Sequence, residues 1–259
     1  MTPERAPVIR PALTSAAKDR EARRGARPYL DILADLHRLL DPRGYVEIGV
    51  RAGNSLRLAR CPALGIDPCP VLDPRHPLAV TTRVLRLTSD AWAVTGPAPD
   101  FPLDLAFIDG LHHANQVARD FLYLEALAHA GTLIVLDDCY PNHPAQATRH
   151  QTTRAWTGDV WLFVEALAMT RPDLTLTPLD SHPTGLLLIS GLGAPSTPAQ
   201  AERLQAACAQ ERPLPATVLA RTGALDPSKS NLEALCVTLR ALRVTNSAAT
   251  QASQETAGP

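Results

Sequence analysis

Carboxylates recur at one kind of place in this chain: Glu47 within a glycine turn, then Asp67, Asp90, Asp109 and the pair Asp137-Asp138, each at or just past a short apolar run. If the runs are strands of an open α/β sheet, these acids line its carboxyl edge, where such sheets bind ligands. Any one of them alone would read as a loop cap. Their repetition in register argues for a site. The turn itself reads Gly44-Tyr-Val-Glu-Ile-Gly-Val-Arg-Ala-Gly-Asn-Ser55. Gly49 lets the backbone approach a ligand, and Gly53, Asn54 and Ser55 would open a helix with unpaired N–H groups. The spacing is Glu-x-Gly-x-x-x-Gly, not the Gly-x-Gly-x-x-Gly of a pyrophosphate seat, which disfavours a dinucleotide oxidoreductase. Strand-to-helix turns also use glycine for purely steric reasons. Asp67, about 20 residues after the turn, is placed to accept from both hydroxyls of a ribose. Asp90, after Thr88-Ser89, could accept from an adenine amino group. His112, three residues after Asp109, is a candidate general base, with His113 as its neighbouring alternative.

The elements that must hold these residues alternate. An amphipathic helix over 29–40 precedes a strand at 45–49, a helix at 55–60, a strand at 63–67 and a strand at 83–87. A Pro-rich loop leads to a strand at 103–109, a helix at 114–128 with Val117, Phe121, Leu124 and Ala128 on one face, and a strand at 132–137. A helix at 159–169 and strands at 174–178 and 185–190 follow, the last two able to form an antiparallel edge pair. Alternation of this kind predicts an α/β fold, a mostly parallel sheet covered on both faces. Helical patches are expected at 199–210 and 231–242. The domain plan is an Arg/Ala/Pro-rich arm at 1–28, a main domain at 29–192, a helical extension at 193–245 and a disordered tail at 246–259. The arm reads as a solvated tail, although Arg20, Arg23, Arg24 and Arg27 could touch an anionic partner. The arm and the C-terminal helices could also serve a homo-oligomer contact.

At 259 residues the chain can bury a full core, and 45% hydrophobic with 20% charged residues is an ordinary globular balance. A net charge of −1 offers no general attraction to nucleic acid or an anionic membrane. No apolar run is long enough to span a bilayer and no secretory h-region begins the chain, which points to the cytoplasm. Five scattered cysteines without a Cys-x-x-Cys pair imply reduced thiols.

Four segments carry a family resemblance: Val46 to Ser55, then Leu64-Gly65-Ile66-Asp67, then Leu105 to His112, then Gly131 to Asp138. Over roughly residues 30 to 190 the chain resembles the class I S-adenosylmethionine-dependent methyltransferases. Within them it is most similar to the small-molecule branch of metal-dependent sugar O-methyltransferases, the macrocin type, and more distantly to the catechol type. The resemblance implies a Rossmann-like seven-stranded sheet with an antiparallel last strand. It assigns Glu47 and Gly49 to the methionine end of S-adenosylmethionine, with Gly53 and Ser55 in the same cradle, Asp67 to the ribose, and Ser89 with Asp90 to the adenine. Asp109, Asp137 and Asp138 match the positions at which metal-dependent relatives hold Mg2+. Three converging carboxylates repel one another unless a hard cation or protons compensate, and magnesium prefers oxygen ligands. Without a metal, Asp138 would simply cap its loop. Leu111 stands where some relatives carry a second aspartate, which tells against an aspartate base, and the position of His112 is similar to a histidine that takes the proton in some sugar methyltransferases, with His113 the alternative. The implied partner is a small hydroxylated acceptor, selected in part by the loop 141–157 with His143, Arg149, His150, Arg154 and Trp156. Gly158 and Asp159 read as a helix start. The alternatives are a metal-independent methyltransferase and a cofactor-binding protein without transfer chemistry.

Overall fold

The short apolar runs become the strands of a seven-stranded sheet in this computed structural model, which describes residues 15–255. The strands are β1 (Tyr45–Ile48), β2 (Ala63–Ile66), β3 (Thr82–Leu85), β4 (Leu105–Ile108), β5 (Leu133–Leu136), β6 (Thr175–Leu179) and β7 (Leu186–Ser190). Their spatial order is β3-β2-β1-β4-β5-β7-β6. The first five are mutually parallel, and β7 runs antiparallel to both β5 and β6. The Rossmann-like sheet with an antiparallel last strand is as the sequence predicts.

Alternation along each strand divides the core in two. Val46, Ile48, Leu64, Ala106, Ile108, Ile134 and Leu136 face one side of the sheet. There they meet α3 (Ala114–Leu127), through Val117, Phe121 and Leu124, and α4 (Val160–Thr170), through Phe163 and Leu167. Tyr45, Ala63, Leu105, Phe107, Leu133 and Val135 face the other side. These pack with Ile32, Leu33, Leu36 and Leu40 of α1 (Tyr29–Leu40) and with Leu232, Cys236 and Leu239 of the C-terminal helix. Because strand side chains alternate with period two, one sheet supplies both cores.

The order reverses between β1 and β4, and the crevice of such a sheet opens at that reversal, beyond the strand ends. Gly49 is what allows the two ends to meet. Its φ is +93°, and a Cβ there would sit 1.9 Å from the Asp109 carbonyl oxygen. Between β3 and β4 lies α2 (Ser89–Thr95), a helix the periodicity does not show. Thr88 starts it, its hydroxyl accepting the Ala91 N–H at 3.2 Å.

Three expectations change. Residues 55–60 do not form a helix but one tight turn, Leu56–Leu58, because Pro62 lies just beyond and starts the path into β2. The arm expected over 1–28 is ordered from Ser15 onward. Helix Ser15–Arg20 leads into a strap that pairs Arg27-Pro28 with Ser181-His182, while residues 1–14 lie outside the described part. The strap is also laced by side chains: Gln146 donates to the carbonyls of Arg20 and Ala22, and Arg24 donates to that of Asn142. Finally, the C-terminal helix runs Lys229–Glu255, through ten residues expected as a disordered tail. Nothing between Lys229 and Ala257 is glycine or proline, and alanine is frequent, so the backbone has no local reason to stop. Residues 256–259 lie outside the described part. Among the described residues, no helix is long and apolar enough to cross a membrane.

Candidate active site at the strand ends

A cavity of about 700 Å³ opens at the carboxyl ends of β1, β2, β4 and β5, a size suited to a nucleoside-sized molecule and a small partner. Its wall includes Gly49, Asp67, Ser89, Asp90, Asp109, His112, Asp137 and Asp138, all singled out in the sequence. Asp67 sits where β2 ends. One oxygen accepts the Arg51 N–H and the other the Cys69 N–H, both at 2.7 Å. A carboxylate has about four acceptor sites, so each oxygen keeps capacity for a ligand hydroxyl. Asp90 is held by Arg119 at 2.9 Å and by Gln116 at 3.1 Å. The Arg119 contact keeps it below the usual carboxylate range. Gln116, which also donates to Ser89 at 3.1 Å, is a wall residue that its place on a helix conceals in the sequence.

Glu47, Gly53 and Ser55 depart from their expected role. Glu47 is fully buried, its two oxygens accepting from Tyr45 Oη at 2.6 Å and Ser55 Oγ at 2.8 Å. None of the three lines the cavity. The physical reason is alternation: Glu47 shares the face of Tyr45, beneath α1, and Ser55 turns inward to meet it. Burial, only partly offset by the two hydroxyl donors, raises the Glu47 carboxyl to about 8. It therefore carries its proton at neutral pH.

The chemistry-bearing cluster sits over β4 and β5. His112 Nε2 lies 3.4 Å from Asp109 Oδ1, and its Nδ1 lies 3.1 Å from Asp138 Oδ2 and 2.9 Å from the Trp156 carbonyl. The ring stacks on Trp156 with centroids 5.0 Å apart. Asp109, His112 and Asp138 each bring a ligand atom within 4.8 Å of the others, a spacing that can close on a metal ion. Asp137 completes the acidic wall, one of its oxygens accepting the Asp138 N–H at 2.8 Å and the other carrying no such contact among the described residues. Asp138 has φ +61°, a left-handed conformation that aspartate tolerates better than most residues. Burial and the neighbouring carboxylates Asp138 and Asp109 push Asp137 well above its ordinary value. Burial likewise lifts Asp138, to about 6, against the pull of His112. Burial pulls His112 down, but Asp138 and Asp109 outweigh it and raise the ring to about 10. In this arrangement the ring is the cation that compensates the acids.

His113 is not part of the wall; its Nε2 lies 3.0 Å from the Arg149 carbonyl. The segment after β5 holds His112 from behind. A Cβ on Gly158, whose φ is +57°, would meet the His112 carbonyl at 1.8 Å, and Asp159 caps α3 through the Ala114 N–H. Asp159 is also the N-cap residue of α4, the helix start expected there, although its side chain serves α3. Of the loop 141–157, Arg154, Ala155 and Trp156 reach the cavity, whereas His143, Arg149 and His150 do not. Arg23, from the strap, and Tyr29, the first residue of α1, also line it.

Residues 46–139, from β1 to just past Asp138, match the model of a methyltransferase domain family. The matched span contains Gly49, Asp67, Ser89, Asp90, Asp109, His112, Asp137 and Asp138, and leaves the strap and the C-terminal helices outside. Among solved structures, the domain is similar to the O-methyltransferase TomG from Streptomyces achromogenes, involved in tomaymycin synthesis and solved with S-adenosylmethionine. Identity is 19% over 71% of this chain and 92% of that one, with a TM-score of 0.48. It is also similar to the S-adenosylhomocysteine-bound methyltransferase PaMTH1 from Podospora anserina (13%, 62% and 77%, TM-score 0.47). An O-methyltransferase from Bacillus cereus, also with S-adenosylhomocysteine, is similar at 17% over 67% and 85%, with a TM-score of 0.44. A search of the curated proteins finds no match.

Proposed function

We propose that this protein is a methyltransferase, which moves the methyl group of S-adenosylmethionine to a hydroxyl oxygen of a small metabolite, a sugar or natural product, with Mg2+ assistance. The observation that carries the reading is one cavity, within a matched methyltransferase domain, lined by a ribose-type acceptor, Asp67, and by the Asp109–His112–Asp138 cluster. When bound, S-adenosylmethionine supplies an electrophilic sulfonium methyl, and Mg2+ supplies polarisation that lowers the acceptor hydroxyl's pKa. The residues fit both groups. Asp67 keeps free acceptor sites, Gly49 leaves the turn open, and Ser89 with Asp90 would hold the adenine. Asp109, Asp137 and Asp138 offer the oxygen ligands that a hard cation prefers. His112 takes the acceptor's proton at Nε2, the nitrogen not committed to Trp156. For that the ring must be neutral, so another cation has to compensate Asp109 and Asp138. The base role and the metal role are thereby coupled.

A metal-independent transfer is the second reading, favoured by the contact of His112 with both Asp109 and Asp138. The protein works on a small-molecule acceptor in the cytoplasm, and its near-zero net charge supports neither a nucleic-acid nor a membrane partner. Calorimetric titration of S-adenosylmethionine, with and without Mg2+, tests the central reading; no binding in either condition would end it. Methyl transfer by Asp137→Ala that stays full and indifferent to a chelator would end the metal reading alone.

A further inference from the structure

The acidic floor of the cavity faces a cationic rim that the transfer chemistry leaves unused. Arg23 reaches the cavity from the strap, and Arg154 reaches it from the loop after β5. Glu21 ties their backbones together. Its carboxylate accepts the Arg154 N–H at 3.0 Å with each oxygen and the Ala155 N–H at 3.0 Å. Its oxygens are thus engaged by backbone amides and by neither guanidinium. Neither guanidinium has a hydrogen-bond or ion-pair partner among the described residues, although both act electrostatically on Glu21. By contrast, Arg27, Arg43, Arg119, Arg171, Arg221 and Arg243 each hold a carboxylate.

A guanidinium stays charged at any physiological pH and presents a planar fork of donors that matches carboxylate and phosphate oxygens. Two such forks on anchored backbone, with one acid between them, leave a net positive charge over the cavity mouth. Both side chains are exposed there, so an anion can be paired without leaving a buried charge alone when it departs. We propose that Arg23 and Arg154 together bind an anionic group, a carboxylate or phosphate, of a molecule seated in this cavity. The inference rests on the cavity being the cofactor and acceptor site. The group has two sources with the same chemistry: the amino-acid end of the cofactor, or an acid on the acceptor.

The test compares the wild type with Arg23→Met, Arg154→Met and a control, Arg83→Met, whose side chain pairs with Asp100 away from the cavity. Calorimetry measures S-adenosylhomocysteine and 5′-methylthioadenosine, which lacks the amino-acid end. Nitrogen-15 spectra of the arginine Nε–H groups follow titration with inorganic phosphate and with benzoate, in the free protein and in protein saturated with S-adenosylhomocysteine. If the cofactor is the source, either cavity variant weakens S-adenosylhomocysteine about tenfold or more and leaves 5′-methylthioadenosine unchanged. If the acceptor is the source, both nucleosides bind the variants normally. The Arg23 and Arg154 signals of the loaded wild type then saturate with phosphate or benzoate, and the Arg83 signal does not. Unchanged nucleoside affinity together with no saturable response at Arg23 and Arg154 would overturn the proposal. Failure of both nucleosides to bind the wild type would end the methyltransferase reading instead, while the free-protein titration still judges the two arginines.

Discussion

Strand β4 has an aspartate at each end, and the two are treated in opposite ways. Asp104, just before Leu105, is fully buried and saturated with donors. It accepts the Arg43 N–H at 2.7 Å, Arg43 Nε and Nη2 at 2.9 Å each, and Arg243 Nη1 at 3.0 Å, with His129 Nε2 at 2.9 Å. Burial would raise its pKa, but these partners outweigh burial and hold it far below the carboxylate range. Asp109, just after Ile108, faces two further carboxylates and a single imidazole. Its neighbours Asp137 and Asp138 are pushed up rather than down. The first acid fastens the C-terminal helix, through Arg243, to the start of α1's following loop. The second group is left short of positive charge, a state that a bound cation would relieve. Saturation marks structure here, and deficit marks the site.

The contrast breaks most visibly if Asp109 is removed. Asp109→Ala should lower methyl transfer by about 10³-fold, within the range expected for a lost metal ligand and base partner. Its thermal midpoint should hold or rise, because a repulsive carboxylate has gone. Full activity with a lowered midpoint would reverse the assignment. Asp104→Ala should do the opposite, costing about 3–5 kcal/mol in urea denaturation by leaving Arg43 and Arg243 without their buried partner. The affinity of the folded fraction for S-adenosylhomocysteine should not change. Because the folded pKa of Asp104 is depressed, its contribution is present above the unfolded carboxylate pKa of about 3.9 and is lost as pH falls toward the folded value. Asp104→Asn should therefore flatten the acid limb of the stability curve. The smallest effect concerns Glu47, a buried acid of the intermediate kind. Its folded pKa, about 8, lies above its unfolded one, so its stabilisation is present below about 4.3 and declines as pH rises toward 8. Glu47→Gln should remove that slope from urea midpoints measured across the window; an unchanged slope would mean the carboxylate is ionised in the fold.

Much of this was legible beforehand. Asp67, Asp90, Asp109 and Asp137-Asp138 each close a short apolar run, and the alternation of runs fixes the sheet, so their common edge follows from period and order alone. Helix α2 leaves no sequence signal because its seven residues span barely two turns, too few to display a periodic stripe. The burial of Glu47 is hidden in the sequence for a subtler reason. It belongs to the same motif as Gly49, yet a strand sends neighbouring side chains to opposite faces, and only the packing of α1 shows which face is closed. The strap has no signature in the local sequence. Residues 20–28 have no apolar period, and what orders them is a set of hydrogen bonds to Gln146, Asn142, Asp180 and Arg154, more than a hundred positions away.

By itself the sequence determined the α/β architecture and the row of strand-end acids, because local hydrophobic period and chain order need no distant partner. Only the tertiary structure decided which acids are saturated and which are not, that His112 rather than His113 enters the cavity, and that Arg23 returns across its mouth. Each of those depends on what lies across space from the residue, and charge compensation, burial and close approach are properties of neighbours that the chain order does not specify.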